Sequence, residues 1–274
     1  MQATLNHCSS PTARIAYDRA GVGPAVVFLH GIGGNRCNWR DQLRRMSASY
    51  ACFAWDAPGY GDSGESSSPR DFEHFARELT TLLDHIGAAK AHIVGTSMGG
   101  HIALSLYRAH PERVATLSLI ATNAGMANLS DSERREFVHR RVDPLMRGAR
   151  PIDIGMSILD VLLGRHATSE VRQHVIESMA AIRTPSYIDT VNAIVMTDFR
   201  EVLPRISVPT AIVVGAEDRV FPVSESRYLA SLIPGSTVQV LPDIGHMLNL
   251  EAPDALVETL QRFLDAHRLL ATSV

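Results

Sequence analysis

The chain has 274 residues, 45% of them hydrophobic and 20% charged, which is ordinary globular composition and enough to bury a sizeable core. The net charge is −3, which excludes a strongly basic nucleic-acid binder or a polybasic membrane-surface protein. The 26 basic residues comprise a single lysine, Lys90, so lysine-based chemistry has one candidate and no phosphate-loop lysine exists.

No apolar run is long enough to span a membrane. The opening residues MQATLNHCSSPTAR lack a basic-then-apolar leader, as expected of a cytoplasmic protein. Three cysteines, Cys8, Cys37 and Cys52, suit free thiols better than a disulfide framework. No His/Cys spacing points to a metal site.

In chain order, a weak strand over Arg14–Asp18 precedes a turn at Ala20–Pro24. Five apolar runs follow: Ala25–His30, Ala51–Asp56, Ala91–Gly95, Val114–Ala121 and Thr210–Gly215. A sixth lies at Thr237–Leu241. They are short, β-branched and bounded by Gly, Pro or Asp, as strands buried on both faces are. Asp56-Ala57-Pro58-Gly59-Tyr60-Gly61 reads as a structural turn, and Ser66–Pro69 as a short loop.

Helices fill the intervals. Asp71–Ile86 places Phe72, Phe75, Leu79, Leu82, Leu83 and Ile86 on one stripe. Met98–His110, Val223–Leu232 and Pro253–Leu269 read the same way. This alternation is that of a mostly parallel α/β sheet. It breaks between Thr122 and Pro204, where roughly 80 residues hold no strand. Ser130-x-x-Glu133 is a capping box opening a helix to Arg141. Pro151–Leu163, Thr168–Ile182 and Ser186–Met196 complete four helices. The expected organisation is a core of residues 1–121 and 205–274 with a helical cap of residues 122–204, at a strand end where α/β folds build ligand sites.

Gly95-Thr96-Ser97-Met98-Gly99 matches G-x-S-x-G between a strand and a helix. A serine on so sharp a turn needs small neighbours two residues to either side, and Gly95 and Gly99 supply them. Its hydroxyl is a weak nucleophile and needs a base, commonly a histidine oriented by a carboxylate. Asp218 in Gly215-Ala216-Glu217-Asp218 and His246 in Gly245-His246 follow later strands, in the order Ser, Asp, His. Glu217 is the alternative orienter.

The oxyanion donors are expected to be the amides of Met98 and of Ile32, the latter in the loop His30-Gly31-Ile32-Gly33-Gly34. His30 reads as structural. Trp39 and His101 are candidates for the pocket wall, with core packing the alternative for each.

These motifs resemble the α/β-hydrolase family over nearly the whole chain. The motifs are His30-Gly31-Ile32-Gly33, Asp56-x-Pro58-Gly59-x-Gly61-x-Ser63, the Ser97 turn, Gly215-x-x-Asp218 and Gly245-His246. The resemblance implies the α/β-hydrolase fold: an eight-stranded, mostly parallel sheet with a helical cap inserted after the sixth strand. The stretch Gly245–Pro253 is similar to that of bacterial 3-oxoadipate enol-lactonase-like hydrolases. This implies cleavage of a small ester or enol-lactone in aromatic catabolism, without a cofactor. His30-Gly31 replaces the Asn-Ser pair of many such lactonases and keeps a general carboxylesterase in view.

The meta-cleavage C–C hydrolases are a second class, from which Met247 departs. A non-catalytic lactone receptor is a third. Aspartate-nucleophile dehalogenases and epoxide hydrolases do not fit Ser97. A homo-oligomer stays open. The cap opens with Arg134, Arg135, Arg140, Arg141, Arg147 and Arg150 among several acids. Most of them fit a solvated helix face; one turned inward would hold a substrate carboxylate.

Overall fold

The computed structural model describes residues 3–66, 70–126 and 129–274, so most of the Ser66–Pro69 loop lies outside the described residues. Eight strands form one sheet: β1 (Thr4–Ser9), β2 (Arg14–Ala20), β3 (Ala25–Leu29), β4 (Ala51–Trp55), β5 (Ala91–Thr96), β6 (Val114–Ile120), β7 (Thr210–Gly215) and β8 (Thr237–Leu241). Their order is β1-β2-β4-β3-β5-β6-β7-β8. β2 runs antiparallel to both its neighbours, and every other pairing is parallel.

The five central strands β3 to β7 are buried along their whole length, as continuous apolar runs should be. β8 differs from the expectation of burial on both faces. It is an edge strand, and Val238 and Val240 are exposed. β1 is absent from the sequence reading because TLNHCS carries no apolar alternation, with only Cys8 buried. It is held by its ladder with β2.

Helices cover both faces. On one lie α2 (Phe72–His85) and α3 (Met98–Ala109), joined by α8 (Val223–Leu232). On the other lie α1 (Arg40–Met46) and α10 (Pro253–Ala266), after the single turn α9 (Leu248–Glu251). Asp71 caps α2 by accepting the His74 amide at 2.6 Å. Four helices lie between β6 and β7: α4 (Asp131–Met146), α5 (Pro151–Leu162), α6 (Ser169–Ala180) and α7 (Thr184–Val195).

The capping box of α4 forms as expected. The Ser130 amide donates to Glu133 at 2.7 Å, and the Glu133 amide donates to Ser130 Oγ at 3.3 Å. The helix then runs past Arg141 to Met146, with Pro144 in its last turn, where the missing N–H costs the helix one bond, to the Arg140 carbonyl. The inserted helices have no separate core. Leu145, Ile154, Met179, Tyr187, Val191 and Ile194 merge with the cluster on the α2/α3 face of the sheet. Among the described residues no helix is long and apolar enough to cross a membrane.

Parallel register aligns the carboxyl ends of the central strands. Leu29 pairs with Gly95, Thr96 with Ile120, Ile120 with Val213, and Gly215 with Leu241. The loops that follow these five strands therefore open on one edge. The loop after β3 is tied to the loop after β4 by Arg36. Its guanidinium reaches Asp18, Asp56 and Asp62, and its amide donates to Asp56 at 2.7 Å. These partners outweigh the cost of burial and push the Arg36 pKa up.

The β5–α3 turn has no room for larger residues. A Cβ on Gly95 would stand 2.2 Å from the Gly99 carbonyl oxygen, and one on Gly99 would stand 2.2 Å from that of Leu29. Gly95→Ala is therefore expected to destabilise by at least about 3 kcal/mol in urea unfolding. Gly87→Ala, at φ +73° with no atom within 4 Å, should cost only about 1 kcal/mol.

Two buried histidines make stability pH-dependent. Burial pulls the pKa of His92 and of His101 down to about 4. Above pH 6.5 both imidazoles are neutral in the folded and unfolded chain. As pH falls from 6.5 towards 4 only the unfolded chain takes up the protons, so stability drops. Between pH 7 and 5 the expected loss is roughly 2 kcal/mol per histidine. His92→Asn keeps a partner for Thr116, which His92 contacts at 2.9 Å. It should flatten the slope of unfolding free energy against pH, and an unchanged slope would refute the assignment.

Candidate active site

Ser97 sits at φ 53°, ψ −118°, in the positive-φ region that side chains avoid. Its surroundings hold it there. The Ser97 amide donates to the Ile120 carbonyl at 2.9 Å, and its own carbonyl accepts from Gly100 N and Thr122 Oγ1, each at 2.9 Å. Gly31 lies against the Ser97 side chain; a Cβ there would be 3.3 Å from Ser97 Cβ. Met98 opens α3, so its amide has no partner within the helix. The amides of Ile32 and Met98 both lack an acceptor among the described residues.

His246 and Asp218 come together at the same edge. His246 Nδ1 donates to Asp218 Oδ2 at 2.8 Å, and a carboxylate partner requires that nitrogen to carry the proton. The other oxygen, Oδ1, accepts the amides of Val220 at 2.8 Å and Phe221 at 2.9 Å. Asp218 is thus fixed by its own turn before it meets the imidazole. Glu217, the alternative orienter, points elsewhere. It takes the Arg165 amide at 2.8 Å and pairs with that guanidinium, which keeps its pKa low.

Glu251, inside the stretch Gly245–Pro253, has a definite task. Glu251 Oε2 accepts the amides of Gly164 at 2.7 Å and Gly245 at 3.1 Å, and Oε1 accepts that of Met247 at 3.0 Å. The His246 amide donates to the Leu162 carbonyl at 2.8 Å. The histidine loop is therefore sewn to the end of α5. Only the pairing of Glu251 with the residues around His246, at short range in sequence, offered a hint of this.

Two cavities meet at Ser97 and His246. The larger, about 420 Å³, is walled by Met126, Phe137, Arg141, Ile194 and Phe221 among others. The smaller, about 50 Å³, lies along Gly31–Gly34 towards Asn38 and Asn249. Ile32 and Tyr187 border both.

His101 lines the larger one. Its Nε2 donates to Asn123 Oδ1 at 2.8 Å, and burial keeps the ring neutral. Trp39 is a correction. It lines neither cavity and is fully buried on the α1/α10 face, its ring 5.1 Å from that of Phe28. The short helix Arg36–Trp39 turns it into the sheet. His30 is structural. Its Nε2 accepts the Ala57 amide at 3.0 Å while Nδ1 donates to the Gly31 carbonyl at 2.8 Å, so neither ring nitrogen is free for catalysis.

Known proteins are similar to this chain in sequence and in fold. A family model described as "Alpha/beta hydrolase family" matches residues 26–259. The 2-hydroxy-6-oxononadienedioate/2-hydroxy-6-oxononatrienedioate hydrolase of Klebsiella pneumoniae is 30% identical, over 92% of this chain and 91% of its own. The 3-oxoadipate enol-lactonase 2 of Acinetobacter baylyi is 27% identical, over 85% of each chain. A dihydrolipoyllysine-residue acetyltransferase component of an acetoin-cleaving system from Pseudomonas putida is 29% identical over 89% of this chain. The match spans only 64% of that longer protein. A thermophilic esterase from Thermogutta terrifontis superimposes with a TM-score of 0.87 at 24% identity, covering 98% of this chain and 100% of its own. With an eight-stranded, mostly parallel sheet and a family match over most of its length, the chain belongs to the alpha/beta hydrolase family.

Proposed function

We propose that the protein is a serine hydrolase of small carboxylic esters or enol-lactones, acting through an acyl-enzyme. The observation that carries this reading is the 2.8 Å contact of His246 Nδ1 with Asp218 Oδ2, on a histidine that lines the same cavities as Ser97. With Nδ1 protonated, Nε2 is the free base, available to take the Ser97 proton. Ser97 Oγ then bonds to the substrate carbonyl carbon. The developing oxyanion is met by the amides of Ile32 and Met98, which have no competing acceptor among the described residues. Collapse breaks the C–O bond of the alcohol or enol, which leaves with the proton held by His246. Water, deprotonated by the same imidazole, attacks the acyl carbon and returns Ser97 and the free acid.

A second reading has a specific observation behind it: the 30% identity to a hydrolase acting on ring-fission products of the nonadienedioate type. The same serine and histidine would then serve C–C cleavage. A panel of p-nitrophenyl esters, enol-lactones and a ring-fission dienone separates the two by which substrate gives the highest kcat/KM.

Ser97→Ala is expected to lose at least ~10³-fold in kcat while keeping its unfolding midpoint within the range of surface variants. A fluorophosphonate should label Ser97 alone. Asp218→Asn should be severely impaired and Glu217→Gln only mildly. Labelling of another serine, or the reverse ranking of the two carboxylate variants, would overturn the assignment.

A further inference from the structure

Among the described residues, the larger cavity contains a cation without a counter-ion. Arg141 lines it from α4. Four other arginines of the inserted segment pair with acids close by in sequence: Arg134 with Asp131, Arg140 with Glu136, Arg147 with Asp143 and Arg150 with Asp153. Arg141 reaches no carboxylate among the described residues. Its contacts stay on its own helix: Nη1 donates to the Phe137 carbonyl at 3.3 Å, and the guanidinium lies 3.7 Å from the Phe137 ring centre. Partial burial disfavours its charge. A guanidinium drawn out of water and left with one weak bond and a ring face has donors to spare.

Its neighbour has the same property. Tyr187 is buried on α7, which packs against α4, lines the same cavity, and donates to no acceptor among the described residues. Two groups of donors thus face the same cavity from neighbouring helices. The remaining charged residues of the wall stand on other elements. Arg219 is exposed and donates to the Leu163 carbonyl at 3.0 Å, while Glu225 projects from α8. The Glu225 carboxylate repels an anion from its own side and leaves Arg141 as the favourable place for it.

We propose that Arg141, with Tyr187 beside it, receives a carboxylate of the substrate. The substrate is then an anionic ester or lactone, with its acid group at Arg141, its reacting carbonyl at Ser97 and an apolar connection along Met126, Phe137 and Ile194. The planar guanidinium suits two parallel bonds to a carboxylate, a geometry that Lys cannot copy. This assignment rests on the hydrolytic role of Ser97, and its test is arranged to separate the two.

The probes are the mono-p-nitrophenyl ester of adipic acid, with a free carboxylate, and its neutral methyl ester counterpart. The wild-type enzyme should favour the acid in kcat/KM by about 30-fold or more, since a partner for a partly buried charge is at stake. Arg141→Met should abolish most of that preference, Arg141→Lys should restore part of it, and Arg140→Met on the exposed side of the same helix should leave it intact. Binding of monomethyl adipate and of dimethyl adipate to Ser97→Ala, by calorimetry, reads the same site without turnover. Acid-selective binding that disappears when Arg141→Met is added supports the receptor even if neither ester is cleaved, an outcome that would refute only the hydrolytic reading. Equal handling of acid and neutral probes in both assays would overturn the proposal, as would a preference that follows Arg219→Met instead of Arg141→Met.

Discussion

The arrangement turns on one crowded crossing, where β5 becomes α3. There the chain reverses within a single residue, and that residue is Ser97 at positive φ, a conformation worth roughly 1–3 kcal/mol of strain. Relaxation is blocked on every side. Gly95 faces the Gly99 carbonyl and Gly99 faces that of Leu29, at separations that leave no space for even a methyl group. The Ser97 amide is tied to β6, and its carbonyl is tied to Gly100 and Thr122. The strain is therefore carried by the central sheet and not by a loop. It sets the serine side chain at the edge where β3, β7 and β8 also end.

His246 is positioned by a different device. Asp218 has its geometry fixed by two amides of its own turn, so the carboxylate is a rigid reference for the imidazole. The backbone of His246 belongs to a loop that Glu251 holds through three amides, one of them from Gly164 beyond α5. A Cβ on Gly245 would stand 2.4 Å from the Gly164 amide nitrogen, so loop and helix end are in backbone contact. The inserted helices thus support the histidine as well as wall the cavity. Their apolar faces join the α2/α3 side of the core instead of forming their own, which removes any reason for them to behave as an independent body.

Much of this was legible in sequence, and the reasons are physical. Central strands are buried on both faces, so they appear as unbroken apolar runs: Thr210–Gly215 keeps its expected bounds, and the run Ala25–His30 shortens by one residue. The serine turn was legible because sterics demand glycine on both sides of it. β1 was not, because its stability comes from ladder bonds to β2 and leaves no side-chain pattern. α1 was not either, since a helix of two turns shows only Leu43 and Met46 as apolar marks on its buried face. Trp39 misled because a large aromatic after a glycine-rich loop suits a pocket and a core equally. The choice depends on which way a short helix turns, and this one turns inward. Asp218 over Glu217 is a matter of one side chain's direction within a turn, which neighbouring carboxylates do not encode by composition.

The inward arginine is the instructive case, because the signal existed and lay in what surrounds it. On a helix, residues three and four apart are neighbours, so a solvated arginine normally has an acid at one of those spacings. Arg134 and Arg135 have Asp131, Arg140 has Glu136, Arg147 has Asp143, and Arg150 has Asp153. Arg141 has Phe137, Val138, Pro144 and Leu145 at those positions, an apolar stripe with a cation in it. That pattern places Arg141 on the buried side of α4, where a cation is costly unless an anion joins it. The anion is not supplied by the helix, by α7 beside it or by any other described residue. A charge that the fold brings to a cavity wall and leaves uncompensated is a standing demand on whatever enters. The same one-letter pattern that looks like an interruption of a solvated face is, in three dimensions, the feature through which this cavity can tell an acid from its ester.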